Sequence, residues 1–412
     1  MIVEESLSSS SEIASRAATR VWDAAIIGAG PAGSTAALHL ARRGHAVLLI
    51  DKDRFPRDKV CGDGLIADAI GALKRAELYA EVLRLGYRTN IGTVYSPSRV
   101  RFDVEGEYMT LKRYLLDDLI KQKAEENGAV FLQSKITNVE PQTDSTIITT
   151  SAEEREPIKG EPIKARVVML ATGASVELAE QLGLVTESRA SAVALRCYVR
   201  SEVEIDRLII SYDRAITPGY AWIFPLGRGE YNVGCGITYA EKKKRVNLRE
   251  TFRLFETNFP EAIDLFKRAE RVTPLRGARL RCGMRGTTAL GRGNVMVIGE
   301  AIGATFPFTG EGIGKAMETG ELAAEVASRA LTEDDFDHLQ EFPRRLEREL
   351  KPKFLGYQLA EDWLSRPWLN DLVARRIRKS RFLQELVQGI VNETVDPREV
   401  FSIRGLVRSF IK

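Results

Sequence analysis

Buried strand patterns that run into glycine-rich turns recur along the chain. An apolar run at 24–27 enters the turn GAGPAG at 28–33, residues 34–43 then carry helical apolar spacing, and 46–50 form a second apolar run. This order of strand, turn, helix and strand predicts a βαβ unit. Because the runs 165–170 and 295–298 also end in turns of small residues, the sequence predicts one α/β domain assembled from separated segments.

Between residues 192 and 238 the pattern changes to short runs of alternating apolar and polar positions. This pattern predicts an antiparallel sheet, inserted into the α/β domain. Tyr220, Trp222 and Phe224 share one face of a strand at period two. The spacing alone leaves two interpretations open, since these rings fit either the sheet core or one wall of an apolar substrate cavity.

Helical spacing is predicted over 65–85, 109–127, 247–268 and 315–330, and again through the C-terminal region from residue 333. From residue 340 on there are 15 Lys and Arg against 10 Asp and Glu. Two apolar stripes run among these charges, one at Leu372, Ile377, Leu383, Leu386, Val387 and Ile390, and one at Phe401, Leu406, Val407, Phe410 and Ile411. Such helices fit either peripheral contact with an anionic membrane surface or a cap packed on the domain.

These patterns divide the chain into four predicted parts. A polar tail covers 1–20. The cofactor-binding domain covers 21–90, 110–180 and 275–330, and its Rossmann-like fold is α/β. The antiparallel-sheet substrate domain covers 91–109 and 181–274, and a helical region covers 331–412.

Composition excludes several function classes. A net charge of +3 over 412 residues gives no argument for binding nucleic acid. The four cysteines show no C-x-x-C spacing and there are only three histidines, so we predict no metal site and no disulfide framework. The cysteines suit a reducing compartment and the N-terminus lacks an apolar signal segment, so the sequence favours a cytoplasmic protein. The basic helices leave membrane association open.

The turn at 28–33 has the residue types that dinucleotide binding requires. Gly28 makes the tight turn, Gly30 allows a pyrophosphate to approach the backbone, and Gly33 allows the helix to pack on the strand. Asp51 ends the second strand 23 residues after Gly28, close to the spacing expected for a carboxylate that binds a ribose hydroxyl. No second G-x-G-x-x-G occurs, which argues against a separate nicotinamide domain.

Two further glycine-rich segments are candidate binding loops. Cys61-Gly62-Asp63-Gly64 permits close backbone approach to a ligand, although a structural turn with a buried cysteine explains it equally well. The run TGEGIG at 309–314 opens a helix, and a helix N-terminus suits a phosphate or a flavin ring edge.

Together these motifs resemble the geranylgeranyl reductase family of FAD-dependent enzymes, within the p-hydroxybenzoate hydroxylase-like superfamily. The resemblance covers 23–330 and rests on GAGPAG with Asp51, CGDG at 61–64, PGYAWIFP at 218–225 followed by Gly234, and Gly299-Glu300 with GEGI at 310–313. It implies a cofactor-binding set comprising Gly28, Gly30, Ala32, Gly33, Asp51, Cys61, Gly62, Arg113, Ile136, Glu300, Gly312 and Ile313. It also implies that Tyr220, Trp222 and Phe224 line a prenyl cavity.

The same resemblance implies an activity: hydride transfer from reduced flavin to an isolated C=C bond of a polyprenyl lipid or quinone tail, with a proton added to the other carbon. The candidate proton donors are Cys61, Asp63, Glu311 and a water molecule, and the sequence does not rank them. The electron donor is also left open between NADPH and a ferredoxin-type protein.

The alternative is an FAD-dependent monooxygenase acting on an aromatic or quinone-like substrate. Ala171-Thr172-Gly173 stands where hydroxylase relatives carry an Asp-Gly pair, which weakens that alternative. Glu300 replaces the usual Asp and is one methylene longer.

Overall fold

The computed structural model of the protein describes residues 17–151, 162–217, 219–238, 247–307, 309–405 and 408. Three predicted features lie partly outside the described residues. They are positions 1–16 of the polar tail, Pro218 of the PGYAWIFP motif, and Leu406, Val407, Phe410 and Ile411 of the second apolar stripe.

The strands are, in chain order, β1 Val21–Ile27, β2 Val47–Asp51, β3 Gly64–Leu65, β4 Tyr87–Tyr95, β5 Arg101–Thr110, β6 Val130–Gln133, β7 Ile136–Pro141, β8 Thr146–Thr150, β9 Pro162–Leu170, β10 Ala192–Ser201, β11 Leu208–Ser211, β12 Gly219–Gly227, β13 Glu230–Thr238, β14 Ala269–Arg271, β15 Arg276–Leu280 and β16 Val295–Val297.

The α-helices are α1 Pro31–Ala41, α2 Ala67–Arg75, α3 Tyr79–Leu85, α4 Arg113–Glu126, α5 Glu177–Gln181, α6 Leu248–Asn258, α7 Pro260–Lys267, α8 Ile313–Glu333, α9 Glu341–Arg345, α10 Lys351–Leu364, α11 Pro367–Lys379 and α12 Arg381–Val391. Short 3-10 turns lie at Gly299–Ile302, Phe336–Gln340 and Pro397–Glu399, and a π-helical turn at Leu346–Leu350 joins α9 to α10.

The first sheet has the order β6-β2-β1-β9-β8-β7. Strands β6, β2, β1 and β9 are parallel, and β16 pairs in parallel with the C-terminal half of β9. The apolar runs predicted from the sequence are therefore neighbours, and their carboxyl ends meet at one edge of the sheet. This arrangement confirms the predicted α/β fold assembled from separated segments, and such an edge is where open α/β sheets bind ligands.

The second sheet has the order β14-β10-β13-β12-β11-β4-β5-β3, with β15 also paired to β10. Its pairs are antiparallel except β11 with β4, which confirms the inserted, mainly antiparallel layer. One face packs on α6 and α7, where Ala221 and Ile223 join the same core as Phe252 and Phe255. The opposite face carries the side chains of Tyr220, Trp222 and Phe224, whose rings contact one another.

The sheets divide the chain at slightly different positions from those the sequence predicts. Arg276–Leu280 pairs with β10 in the second sheet, and β4 begins at Tyr87 rather than at residue 91. The predicted helix 65–85 is two helices, because Glu77 adopts a left-handed backbone with φ 60°. The helix 247–268 breaks where Pro260 begins α7.

The C-terminal region is helical, as predicted. Ile377, Leu383 and Ile390 of its first apolar stripe are buried in the main core, so this stripe packs on the protein. Among the residues that the structure describes, no helix combines the length and the apolar character needed to cross a bilayer.

Candidate active site

A cavity of about 870 Å³ lies between the two sheets. Its walls come from the turns after β1, β2 and β9, from the segment 57–64, from the N-terminus of α8, and from the aromatic face of the second sheet. A volume of this size is typical of sites that enclose an organic ligand.

The glycine turn after β1 has the geometry that a pyrophosphate site needs. A Cβ at Gly28, where φ is 108°, would lie 2.3 Å from the carbonyl oxygen of Ala171, and one at Gly33 would lie 1.8 Å from that of Gly28. A Cβ at Gly30 would meet only an Arg57 nitrogen at 3.7 Å, on the cavity side. Gly28 and Gly33 therefore serve close packing, whereas Gly30 leaves the N-terminus of α1 open to a ligand.

Asp51 ends β2 beside this turn. Its Oδ2 accepts a 2.7 Å hydrogen bond from the backbone N–H of Ala29, and its side chain is buried at the cavity wall. The carboxylate is thus placed next to the phosphate-binding turn, at the strand end where a ribose would lie.

Basic side chains line the same end of the cavity. Arg57 contacts Asp117 at 3.1 Å, while its buried Nε has no hydrogen-bond partner. Lys59 lies 3.3 Å from Glu300. Arg113 is paired with Asp117 by bonds of 2.5 and 2.7 Å. A cluster of cations with an unsatisfied N–H is suited to an anionic group such as a pyrophosphate.

The CGDG segment is held against the second sheet through Asp63. This residue has φ 62° and is fully buried. Its Oδ2 accepts hydrogen bonds from the Tyr198 hydroxyl and the Asn232 amide, both at 2.8 Å, and its Oδ1 accepts one from the Arg113 N–H at 3.2 Å. The side chain fixes a left-handed turn, which places the neighbouring residues at the cavity wall.

Asn232 joins the CGDG segment to the aromatic face. Its Nδ2 also donates to the Cys61 carbonyl at 2.8 Å, and its Oδ1 accepts from Trp222 Nε1 at 2.9 Å. Gly62 and Gly64 lie against the rings of Trp222 and Phe224, where a Cβ would approach ring atoms at 3.5 and 3.2 Å. The segment and the rings therefore form one continuous wall.

Gly234, the last residue of the family motif, allows Trp222 to lie flat on the sheet. It faces Trp222 across the β12–β13 pair. A Cβ at this position would lie 2.2 Å from Trp222 Cζ2 and 2.6 Å from the Leu195 carbonyl oxygen. Only glycine leaves room for the indole here.

Burial determines the protonation of the candidate acids. It raises the pKa of the Cys61 thiol and raises the pKa of Asp63 to about 6, although hydrogen bonds from Tyr198 and Asn232 oppose the latter shift. Burial also raises the pKa of Glu311 well above its usual range, with nearby Asp68 adding to the effect. Burial at the cavity wall therefore makes Cys61 and Glu311 hold their protons more tightly than the same side chains do in water.

The structure brings nearly all the predicted site residues to this one cavity. The residues that line it are Gly28, Gly30, Ala32, Asp51, Cys61, Gly62, Asp63, Arg113, Ile136, Tyr220, Trp222, Phe224, Glu300, Glu311, Gly312 and Ile313. Gly33 lies behind the wall, in the packing contact between the turn and α1.

Sequence reasoning missed three residues of the site. Arg57 and Lys59 lie in the charged segment 52–59, which falls between the sequence motifs and contains none of them. Asn232 had a usable signal, because it is a polar residue in the apolar run YNVGC at 231–235 and is fully buried in β13.

These features fit FAD: an open glycine turn at a helix N-terminus, a carboxylate at the next strand end, unsatisfied basic groups, and a wide cavity beyond them. The FAD binding domain family matches residues 21–327.

The chain is 31% identical over 327 residues to a menaquinone reductase of Mycobacterium tuberculosis, covering 74% of this chain and 76% of that protein. It is 25% identical over 406 residues to a digeranylgeranylglycerophospholipid reductase of Methanosphaera stadtmanae, covering 93% and 98%. A solved structure of a geranylgeranyl bacteriochlorophyll reductase-like protein from Thermoplasma acidophilum superposes with a TM-score of 0.77 at 22% identity, covering 95% and 96%, which establishes the shared fold. The chain therefore belongs to the FAD binding domain family and is an FAD-dependent oxidoreductase, and these relatives confirm its resemblance to the geranylgeranyl reductases.

Proposed function

We propose that this protein reduces isolated C=C bonds in the prenyl chain of a lipid or quinone. Bound FAD, once reduced, supplies the hydride for such a reaction. The chain's own residues must then bind an extended apolar substrate, exclude water and provide a proton. The reductase names of the relatives support this class of reaction, and the shape of the cavity supports the substrate class.

The observation that carries the proposal is an apolar groove along the second sheet. Four adjacent strands, in the order β12-β11-β4-β5, present inward residues to the cavity, so the groove extends about 14 Å across three strand spacings. Its lining is apolar or aromatic apart from the hydroxyl groups of Tyr108 and Tyr220 and the indole N–H of Trp222, all of which are hydrogen-bonded within the protein. The lining consists of Tyr220, Trp222, Phe224, Leu208, Ile210, Gly92, Val94, Val104 and Tyr108. A hydrocarbon chain that enters this groove is stabilised by about 25 cal/mol per Å² of buried apolar surface.

Tyr108 closes the β5 end of this groove. A Cβ at Gly92 or Gly106 would lie 3.3 or 3.0 Å from its ring, and its hydroxyl donates to the Val104 carbonyl. The opposite end meets the segment 309–313 and the CGDG wall, where reduced flavin would lie in this proposal. A prenyl chain would therefore place one of its bonds at the cofactor and extend along the sheet.

The proposed roles of the candidate acids differ. Asp63 accepts three hydrogen bonds, so we assign it the positioning of the CGDG segment. Cys61 and Glu311 line the cavity as protonated groups and are the proposed proton sources. Arg57, Lys59 and Arg113 would hold the cofactor pyrophosphate.

The C-terminal helices cover part of the cavity, to which Glu361, Leu364 and Val391 contribute. Nearby on the chain, Leu355 and Trp368 are 57% and 66% exposed and stand among basic residues. We propose peripheral contact with a membrane through these exposed side chains, since the first apolar stripe is already packed on the core.

The test uses the FAD-loaded protein, photoreduced without oxygen and mixed with a menaquinone, a digeranylgeranylglycerophospholipid or geranylgeranyl diphosphate. We expect flavin reoxidation in the absence of oxygen and a product two hydrogens heavier for each bond reduced. If the flavin is reoxidised only when oxygen is admitted, and the product gains an oxygen atom, the protein is a monooxygenase and the proposal is wrong.

A pair of variants on β4 links this activity to the groove. Val94→Trp fills the groove and should abolish lipid reduction while FAD stays bound. Ile91→Trp places the same side chain at an exposed position of the same strand and should leave the rate unchanged. Equal activity in the two variants would remove the groove from the mechanism.

A further inference from the structure

A cluster of charged side chains is buried behind the cavity wall where α8 begins. Its centre is Lys315, whose ammonium group is inaccessible to solvent and lies 3.6 Å from Asp68, 2.6 Å from Glu318 and 2.8 Å from Glu393. We refer to Asp68, Glu311, Lys315, Glu318, Lys353 and Glu393 as the Lys315 cluster.

Glu311 connects this cluster to the cavity. It lines the cavity, and its Oε1 accepts a 2.6 Å hydrogen bond from the Gly314 N–H. Asp68, on α2, packs against Gly314 as well. A Cβ at Gly314 would lie 2.4 Å from Asp68 Cγ. The two carboxyl groups therefore meet at one helical turn, with Asp68 on the inner side.

The composition of the cluster requires it to hold a proton. Four carboxyl groups face only two ammonium groups, and Asp68 Oδ2 is buried without a hydrogen-bond partner. Burial raises the pKa of Asp68 to about 7 and raises that of Glu311 well above its usual range. Glu393 raises both pKa values further and Asp68 also raises that of Glu311, whereas Lys315 opposes both shifts. Like charges in a region of low dielectric cannot all be ionised, so the carboxyl groups share a proton near neutral pH.

Exposure increases across the cluster from the cavity side to the surface. The side chains of Lys315 and Asp68 are 0% and 4% exposed, that of Glu393 is 14% exposed, and that of Lys353 is 41% exposed. Lys353 contacts Glu393 at 3.3 Å, and Glu393 contacts Lys315. Ion pairs thus lead from solvent through Glu393 and Lys315 to Asp68, which approaches Glu311 at Gly314.

We propose that Glu311 donates the proton added to the substrate, and that Asp68, Lys315 and Glu393 are positioning residues whose charges set the affinity of Glu311 for that proton. This inference rests on the proposed reductase function. Bound FAD, reduced by a two-electron donor such as dithionite, would supply the hydride to one carbon of the C=C bond. Glu311 would supply the proton to the other carbon, be left as a carboxylate, and regain a proton from solvent before the next turnover.

A purely structural role makes a different prediction. As an ion-pair staple that holds α10 and the segment after α12 against α8, the cluster would lose stability when any member is removed. The charges of the cluster would still shift the titration of Glu311, but the pH dependence of lipid reduction would not follow that titration. Whether the alkaline limb of the rate moves together with the Glu311 midpoint therefore separates the two roles.

The measurement is the infrared C=O stretch of a protonated carboxyl group in the FAD-loaded protein without substrate, followed against pH. The groups that face Glu311 are Asp68 from α2, Lys315 from α8, Glu393 after α12, Tyr220 from β12 and Tyr357 from α10, with Glu318 and Lys353 reached through Lys315. Glu311→Gln should remove the band, which assigns it.

Asp68→Asn removes a negative charge and should lower the midpoint of the band by about one pH unit, while Lys315→Met removes a positive charge and should raise it by about as much. The alkaline limb of the lipid-reduction rate should move in the same two directions. Glu311→Gln should lower the rate about 100-fold. Glu321→Gln, on the same helix but paired with Arg75 at the surface, is the control and should change neither quantity.

Shifts of the same sign in both variants, or a wild-type rate in Glu311→Gln, would overturn the proposal. Thermal unfolding and flavin absorbance identify any variant that fails to fold. If Asp68→Asn fails to fold, Glu393→Gln replaces it and should also lower the pH midpoint of the Glu311 band. If no prenyl lipid is reduced at all, the proposed function fails, whereas the infrared titration still decides whether the cluster controls the proton on Glu311.

Discussion

Replacing Asn232 by alanine should loosen the wall of the active site without touching any residue of the glycine turn. The amide is fully buried and makes three hydrogen bonds, to the Cys61 carbonyl, the Asp63 carboxylate and the Trp222 indole. In the variant, the indole N–H and the Cys61 carbonyl lose their partner, and Asp63 keeps only the bonds from Tyr198 and Arg113.

The expected cost follows from these contacts. A neutral hydrogen bond lost in the interior costs about 1 kcal/mol and one to a charged group about 2 kcal/mol, so the three together lower the free energy of unfolding by roughly 4 kcal/mol. With an unfolding entropy of about 2 cal/mol/K per residue, this corresponds to a fall in Tm of about 5 °C. The hydrogen bond from Asn232 favours the ionised form of Asp63. Its loss should therefore raise the pKa of Asp63 above the value of about 6 that it has in the wild type.

The assay combines thermal unfolding with flavin absorbance after gel filtration at pH 7. Asn232→Ala should unfold earlier and lose FAD, because Gly62 and Cys61 are no longer held against Trp222. Asn138→Ala, an exposed asparagine on β7, is the matched control and should behave as wild type. A Tm within about 1 °C of wild type with full retention of FAD would refute the assignment of Asn232 as the residue that joins the two walls.

Two further predictions concern the glycine turn and the buried acid. Gly30→Val should leave the apoprotein folded but unable to retain FAD, because Gly30 has an extended backbone and faces the open cavity. Gly33→Val should fail to fold, because its Cβ would lie 1.8 Å from a carbonyl oxygen. Similar thermal stability of the two variants would contradict this distinction. Asp63 has a pKa of about 6 in the folded protein against an ordinary value of 3.8, so the folded state binds this proton more tightly than the unfolded state does. The protonated carboxyl therefore stabilises the fold fully below about pH 4, and this contribution is lost as the pH rises through about 6. Urea denaturation gives the difference in unfolding free energy between pH 4 and pH 8, and Asp63→Asn should reduce this difference by about 3 kcal/mol. The variant Asp337→Asn, at an exposed position, is the control and should leave the difference unchanged. An unchanged pH dependence in Asp63→Asn would show that this carboxyl is not the titrating group.

The amino-acid sequence alone determined the cofactor and the fold class. The glycine turn, its helix and Asp51 are local in sequence, so their spacing carries the geometry of the phosphate site directly. The separated apolar runs were assigned correctly to one sheet, because buried parallel strands have a recognisable composition. The shared face of Tyr220, Trp222 and Phe224 also followed from strand period alone.

Only the tertiary structure decided how the candidate acids divide their roles. Asp63 and Cys61 are neighbours in a loop, yet contacts with Tyr198 and Asn232, more than 130 residues away, make one a positioning group and leave the other at the cavity wall. Similarly, the pKa of Glu311 is raised by its burial and further by Asp68 and Glu393, which come from distant segments of the chain. Burial and long-range charge are properties of packing, and no local pattern in the sequence carries them.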